Sequence, residues 1–165
     1  ASQRWRDLLV CEGLALQTLS AAGVSAAHTV IERAAGRVFL ESRRFDRNPQ
    51  GGRVGMVSLE VYDRQYIGQG TNWVDTASQS TRAGPERLSE VGVQTLCLLD
   101  AFGALIANTD RHHGNISLLL QDHRWQVAPA RWIRAPTSRP SSTWQWQAAS
   151  SRPARSAPTA SMARR

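Results

Sequence analysis

The chain contains no lysine: all 20 of its basic residues are arginine, in a sequence of 165 residues. A compact ammonium point charge is therefore absent everywhere, and arginine does not replace it one for one, because a guanidinium is bulkier and forked. So extreme a bias points to a GC-rich coding sequence rather than to a selected phosphate-binding surface. Acid is missing from one region only. Residues 1–128 hold 13 Arg against all 13 Asp and Glu, whereas residues 129–165 hold 7 Arg and no acid, so the net charge of +7 belongs to the tail. A neutral body argues against a nucleic-acid-binding protein, which would carry its basic footprint on the folded domain.

Cysteine is scarce too. Cys11 and Cys97 lie far apart in apolar surroundings, without the paired spacing of zinc sites or disulfide scaffolds, and are expected as buried thiols in a reducing compartment. No basic segment followed by an apolar run opens the chain. The longest apolar stretch, residues 96–107, is interrupted by Asp100 and is too short to span a bilayer. The expectations are a cytoplasmic address and no membrane partner. The first methionine is Met56, which hints that the chain starts inside a longer reading frame. Its length suits one domain, able to bury on the order of 70% of its unfolded surface.

What is present reads as helix, hairpin, helix, hairpin. Over residues 7–22 Leu8, Cys11, Ala15, Leu19 and Ala22 recur at three- and four-residue steps, with Gly23 following as a stop. Two β-prone runs, 28–33 and 37–43, flank Ala34-Ala35-Gly36 and predict a tight hairpin. Residues 48–52 and 68–85 are polar and poorly periodic, and are expected on the surface; Gly68-Gln69-Gly70 lacks the context of a phosphate loop. The strongest helical signal is Leu88, Val91, Thr95, Leu98, Phe102 and Leu105, widened by Leu96, Leu99 and Ile106, which predicts a core helix ending near Asn108. Ile116, Leu118 and Leu120 then alternate, Gln121-Asp122-His123 turns, and Trp125 and Val127 return. From Pro129 onward Arg, Ser, Ala, Pro and Thr dominate without period, and disorder is expected over 129–165.

The polar cluster after the core helix reads Asn108-Thr109-Asp110-Arg111-His112-His113-Gly114-Asn115. A kinase needs a carboxylate near the substrate hydroxyl, oxygen ligands for magnesium and positive charge around the transferring group. Asp110 and Asn115 stand five residues apart, the spacing of base and metal ligand in the kinase catalytic loop. Spacing alone is weak, since Asp and Asn also serve as turn formers that bond their own backbone. Adjacent His112 and His113 cannot easily face one ion together.

In context the segment resembles the catalytic loop of HipA-like kinases: a core helix, Asn-Thr-Asp-x-His-x-Gly-Asn, then an alternating strand. Arg44-Phe45-Asp46-Arg47 at a strand end resembles that family's Arg-Phe-Asp-Arg segment, whose backbone receives adenine. Arg43 stands where the family usually has Glu, with Glu41 close by, and the helix containing Glu12 resembles the first helix after the small lobe. The similarity covers residues 7–129. It implies an α+β, protein-kinase-like, mainly helical large lobe with short β-hairpins over residues 1–128. It also implies ATP and Mg2+ as cofactors, Asp110 as base, Asn115 as metal ligand, Phe45 and Arg43 at the nucleotide, and His112 as a brace. The partners implied are a protein substrate phosphorylated on Ser or Thr and a helix-turn-helix antitoxin, with no direct nucleic-acid contact.

Two parts of that pattern are missing. No residue can act as the nucleotide-contacting Lys, and Pro129-Ala130-Arg131-Trp132 puts Trp132 where the family's Pro-x-x-Asp supplies a magnesium carboxylate. Negligible turnover is expected, and a non-catalytic remnant that binds a partner or nucleotide is the alternative; a basic protein gripping single strands through Trp144, Trp146 and the arginine tail is a third reading. The abrupt change at Pro129 motivates a frameshift as its origin. Sequencing the surrounding DNA tests this: an Asp codon for position 132 and a coherent continuation are expected in a neighbouring frame, and a single intact frame through Pro129 sinks the idea.

Overall fold

The structure, a computed structural model, describes residues 3–68 and 70–132, and the backbone of 143–147. Helix α1 (Gln3–Ala21) lies against the hairpin of β1 (Thr29–Ala34) and β2 (Arg37–Arg43). The hairpin closes on Ala35 and Gly36, both at positive φ (49° and 70°), the two-residue turn whose twist matches its strands. Leu9 from the helix and Val38 and Leu40 from β2 form the small core beneath it. The predicted helix and hairpin are therefore present, and Ala15 and Leu19 of the predicted stripe are buried, but the buried face is shifted at the other positions. Leu9, Glu12, Ala15, Leu16 and Leu19 face inward, while Leu8 is 46% exposed and Cys11 lies at the surface.

A short strand β3 (Gly55–Ser58) runs into α2 (Leu59–Tyr66), whose N-cap Ser58 accepts from the Val61 N–H. Helix α3 (Trp73–Gln79) is capped by Asn72, which accepts from the Asp75 N–H at 2.9 Å, and a 3-10 segment (Ser80–Glu86) follows. The sequence predicted a surface segment here. Trp73 and Thr76 are instead fully buried, because capping and one large aromatic anchor a helix too short to show a period. Helix α4 (Glu90–Leu105) then leads to a 3-10 turn (His113–Asn115) and the hairpin of β4 (Ser117–Gln121) and β5 (Arg124–Val127). That hairpin also turns on two residues at positive φ, Asp122 and His123, and β3 adds to its other edge to give the order β3-β4-β5.

The main core gathers Leu16 and Leu19 of α1, Leu59 and Tyr62 of α2, Trp73, Leu96 and Leu99 of α4, and Ile116 and Leu118. Helix α4 buries Gly92, Leu96, Leu99 and Gly103; of the face that periodicity selected, Leu96, Leu99 and Leu88 just before the helix are in the core, whereas Val91, Leu98 and Leu105 are not. Val91 and Leu105 are 71% and 81% exposed. A helix apolar around most of its circumference offers several stripes, and close packing chose the one with two glycines, which a count of apolar side chains passes over.

Two expectations need correction. Cys11 is exposed and Cys97 half-buried, so neither is a core thiol. Regular structure also extends past Pro129: Ala130 and Trp132 are buried, and β6 (Thr143–Gln147) pairs antiparallel with β2, from Phe39 opposite Gln147 to Arg43 opposite Thr143. The disorder expected for 133–142 and 148–165, and any contact by the side chains of Trp144 and Trp146, falls outside the described residues. Among the described residues no helix is long and apolar enough to cross a membrane.

The choice of buried stripe is testable by urea unfolding. Leu96→Ala or Leu99→Ala is expected to cost about 2–5 kcal/mol, whereas Val91→Ala should stay within about 0.5 kcal/mol of the parent.

Candidate active site

The loop begins where α4 runs out of helical conformation. Ala107 takes a positive φ of 54°, and the Asn108 N–H closes back on the Gly103 carbonyl at 2.8 Å. Asn108 Oδ1 then accepts the Asp110 N–H at 3.0 Å, an Asx turn that presents the Asp110 side chain outward. Arg111 ties this stretch to the helix, donating to the Asp100 carboxylate (2.9 Å) and carbonyl (3.2 Å) and to the Asn108 carbonyl (3.2 Å). Downstream, the Leu59 N–H bonds the Ile116 carbonyl, fixing the loop's exit to α2.

Asn115 is buried, and its amide nitrogen donates to the Asp110 carbonyl at 2.6 Å and to Asp110 Oδ2 at 3.1 Å. With both donors committed to Asp110, the remaining group is Oδ1, an acceptor that no donor among the described residues engages. One side chain thus holds the carboxylate in place and keeps an oxygen free for a hard cation. His112 completes the group. Its Nδ1 accepts the Gly114 N–H at 3.1 Å, so the ring proton sits on Nε2, which faces Asp110 Oδ1 at 3.4 Å. Gly114 is required for this fit, since a Cβ there would lie 2.9 Å from His112 Cε1.

Among the described residues, the oxygens that this loop could offer to a magnesium ion are Asn115 Oδ1 and those of Asp110. That set suits an ion that retains water and takes its other ligands from nucleotide phosphates. Trp132 supplies none: the residue is 5% exposed and its ring stacks on Phe102 at 5.8 Å, while its backbone N–H donates to Glu12 Oε1 at 2.9 Å. No group of three or more His, Cys, Asp or Glu among the described residues is arranged to hold a metal.

Arg43 and Phe45 belong to a second group at the end of β2. Arg43 is exposed, with its N–H on the His28 carbonyl at 2.9 Å, and half-buried Phe45 lies 5.6 Å below the Arg131 guanidinium. Asp46, a member of the Arg-Phe-Asp-Arg segment but given no role from the sequence, is buried here and is clamped by Arg44 through two bonds of 2.9 and 2.7 Å and by Arg47. Burial pushes the Asp46 carboxyl up, but the bond and charge of Arg44 and the charge of Arg47 outweigh it and bring it below the ordinary carboxylate value. Burial likewise lowers Arg131 to about 10, against the opposing pull of Glu12 and Asp46, which leaves it charged at neutral pH. Residues 129–132 link the two groups. They leave the β4–β5 hairpin at β5 and lie beside 25–27, where the Ala27 N–H bonds the Ala130 carbonyl and the Ala130 N–H bonds the Ser25 carbonyl. Glu12, Asp46 and Arg131 were each named from the sequence but not brought together, because only the fold places residues so distant in the chain side by side.

An α+β body of short antiparallel hairpins around a core helix, with an Asp–Asn loop at that helix's end, defines a HipA-type domain. The chain belongs to the HipA-like C-terminal domain family, which matches it over residues 2–131. It is 35% identical over 129 residues to Toxin YjjJ of Escherichia coli (strain K12), covering 78% of this chain and 29% of that protein. The chain thus spans under a third of the length of this curated relative. The HipA of Shewanella oneidensis MR-1, solved with HipB and operator DNA of its toxin–antitoxin system, has the same fold. There the TM-score is 0.55 at 20% identity, over 76% of this chain and 33% of that one.

The lowered Asp46 carboxyl has a definite consequence for stability. Its folded value lies below its unfolded one, so its contribution is complete above about pH 4 and is lost as the pH falls through the folded value. Thermal unfolding followed from pH 6 to pH 2 should therefore show a steeper acid loss for the parent than for Asp46→Asn, and parallel curves would remove Asp46 as a contributor.

Proposed function

We propose that this chain carries the acceptor and metal half of a HipA-like serine/threonine kinase site, and that its turnover is negligible. In this reading Asp110 accepts the proton of a protein Ser or Thr hydroxyl while the γ-phosphoryl group of ATP is transferred. Asn115 offers Oδ1 to Mg2+, which when bound neutralises phosphate charge. Its two bonds to Asp110 keep base and metal ligand in one fixed relation, and this is the observation that carries the proposal. His112 holds the Asp110 carboxylate from the other side. The backbone beside Arg43 and Phe45 would meet adenine, with the Arg131 charge nearby.

A groove of about 770 Å³ flanks the loop, lined by Asn72, Asp75, Asp100, Thr109 and Arg111 among others, and gives a protein segment room to approach Asp110. A helix-turn-helix antitoxin is the partner this reading assigns, supported by the HipB bound to the Shewanella HipA. The cytoplasm is the compartment in which ATP, substrate and antitoxin meet.

Weak turnover follows from two losses. The chain has no Lys to meet the nucleotide phosphates, and Trp132 turns its ring into the core where the family pattern has a carboxylate. Each missing charge-stabilising group typically costs roughly 100- to 1000-fold in rate, although such losses do not simply add. The same two features favour a second reading, in which the chain binds nucleotide or partner without catalysis.

Calorimetry with ATP and Mg2+ tests the binding half. Magnesium-dependent binding by the full chain is expected, weakened roughly tenfold in Asn115→Ala by loss of an ion-dipole contact, and no magnesium-dependent binding would sink the assignment. Radiolabelled transfer tests the rest: clear phosphorylation by the chain that disappears in Asp110→Asn would show that the site works despite both losses.

A further inference from the structure

A second line of polar groups reaches the same loop from the protein interior. Asp63 on α2 is buried, and its Oδ1 accepts from Thr76 Oγ1 at 2.9 Å and from the Gly70 N–H at 3.1 Å. Thr76 on α3 is fully buried, with Oγ1 2.8 Å from His113 Nε2. A threonine hydroxyl has one proton to give. It goes to the carboxylate, so the contact with His113 requires the imidazole to donate, and Nε2 is the protonated nitrogen. The line from His113 through Thr76 to Asp63 therefore runs in one direction and ends on a carboxylate, so each bond polarises the next. Space around it is closed. A Cβ at Gly70 would fall 1.9 Å from Thr76 Oγ1 and 2.3 Å from Asp63 Oδ1.

The adjacent histidines thus divide their work. His112 turns outward to Asp110, and His113 turns inward to Thr76. His113 also opens the short turn that ends at Asn115, where the Gly114 and Asn115 N–H groups bond back to His112 Nδ1 and to its carbonyl. The tie on the other side of Asp110, Arg111 to Asp100, is partly solvated and correspondingly weak, with side chains 33% and 27% exposed. The buried tie is the stronger constraint.

We propose that His113 is a positioning residue: by anchoring the turn to α2 and α3 through Thr76 and Asp63, it fixes the Asn115 amide against Asp110. This rests on the reading of Asp110 and Asn115 as base and metal ligand. It assigns a function to Asp63 and Thr76, which lie outside both recognisable motifs.

The test compares the full chain with Thr76→Ser, Thr76→Val and His113→Ala. Valine keeps the volume of threonine and removes both bonds, serine keeps them, and alanine at 113 leaves the Thr76–Asp63 bond intact should valine at 76 disturb folding. Nitrogen-15 spectra should show His113 protonated at Nε2. Amide exchange at Gly114 and Asn115 is expected to quicken roughly tenfold in Thr76→Val and His113→Ala, as for loss of one buried hydrogen bond. It should match the parent in Thr76→Ser, with protection of Leu96 and Leu99 unchanged. Unaltered exchange in the loop overturns the assignment, and so does equal quickening in α4, which marks a global effect. Broadening of Asn115 signals by Mn2+ with ATP provides a separate arm. No broadening in the parent defeats the metal-ligand reading while exchange still decides the role of His113; broadening unchanged by Thr76→Val defeats the positioning role.

Discussion

Which stripe of α4 is buried decides where its last turn points, and the loop from Asn108 to Asn115 is a continuation of that turn. Leu96 and Leu99 enter the core between Gly92 and Gly103, and the Gly103 carbonyl then receives the Asn108 N–H that ends the helix. A rotation by one residue, about 100° around the axis, would bring Val91 and Leu98 inward and carry Asp100, and with it the anchor of Arg111, to another face. The position of Asp110 is therefore a packing result before it is an electrostatic one. Asn115, His112 and the interior line through His113 act on a loop whose origin the core has already set.

Around that loop the charges are unevenly supplied. Carboxylate and amide oxygens are gathered at Asp110 and Asn115, whereas the cationic side is represented by arginines placed elsewhere, and Arg131 is engaged with the acids at Glu12 and Asp46. Trp132 reinforces the division. Its ring adds apolar area to the core against Phe102, and its backbone N–H occupies Glu12, so the segment after β5 contributes to holding α1 in place rather than to holding an ion. Burying an aromatic favours folding at the same position where a carboxylate would favour phosphoryl transfer.

How much of this was legible in the sequence depended on the range of the interaction. Both hairpins were readable, because their turns are local: Ala35-Gly36 and Asp122-His123 need only neighbouring residues to take positive φ. The Asp110 to Asn115 loop was readable as well, since its bonds span five residues. Helix existence was clear for α1 and α4, but the buried face only in part: Ala15, Leu19, Leu96 and Leu99 were read as core, whereas Leu8 and Leu9, or Leu98 and Leu99, are equally apolar and only tertiary packing distinguishes them. The short α3 gave no period, and its single Trp73 gave no hint that Thr76 would meet Asp63 and His113, residues 13 and 37 positions away. Side-chain identity carries the short-range part, and chain topology carries the rest.

The third strand beside β2 obeys a different rule from the loop. Main-chain groups form a ladder, and any segment free of proline that can extend supplies them, so residues 143–147 fill that edge by shape alone. Asn115 has no such latitude, because both bonds of its amide nitrogen are committed to Asp110. Sequence drift is thus absorbed at the sheet edge and transmitted at the loop. A chain whose composition changes character after Pro129 can still complete the sheet beside β2.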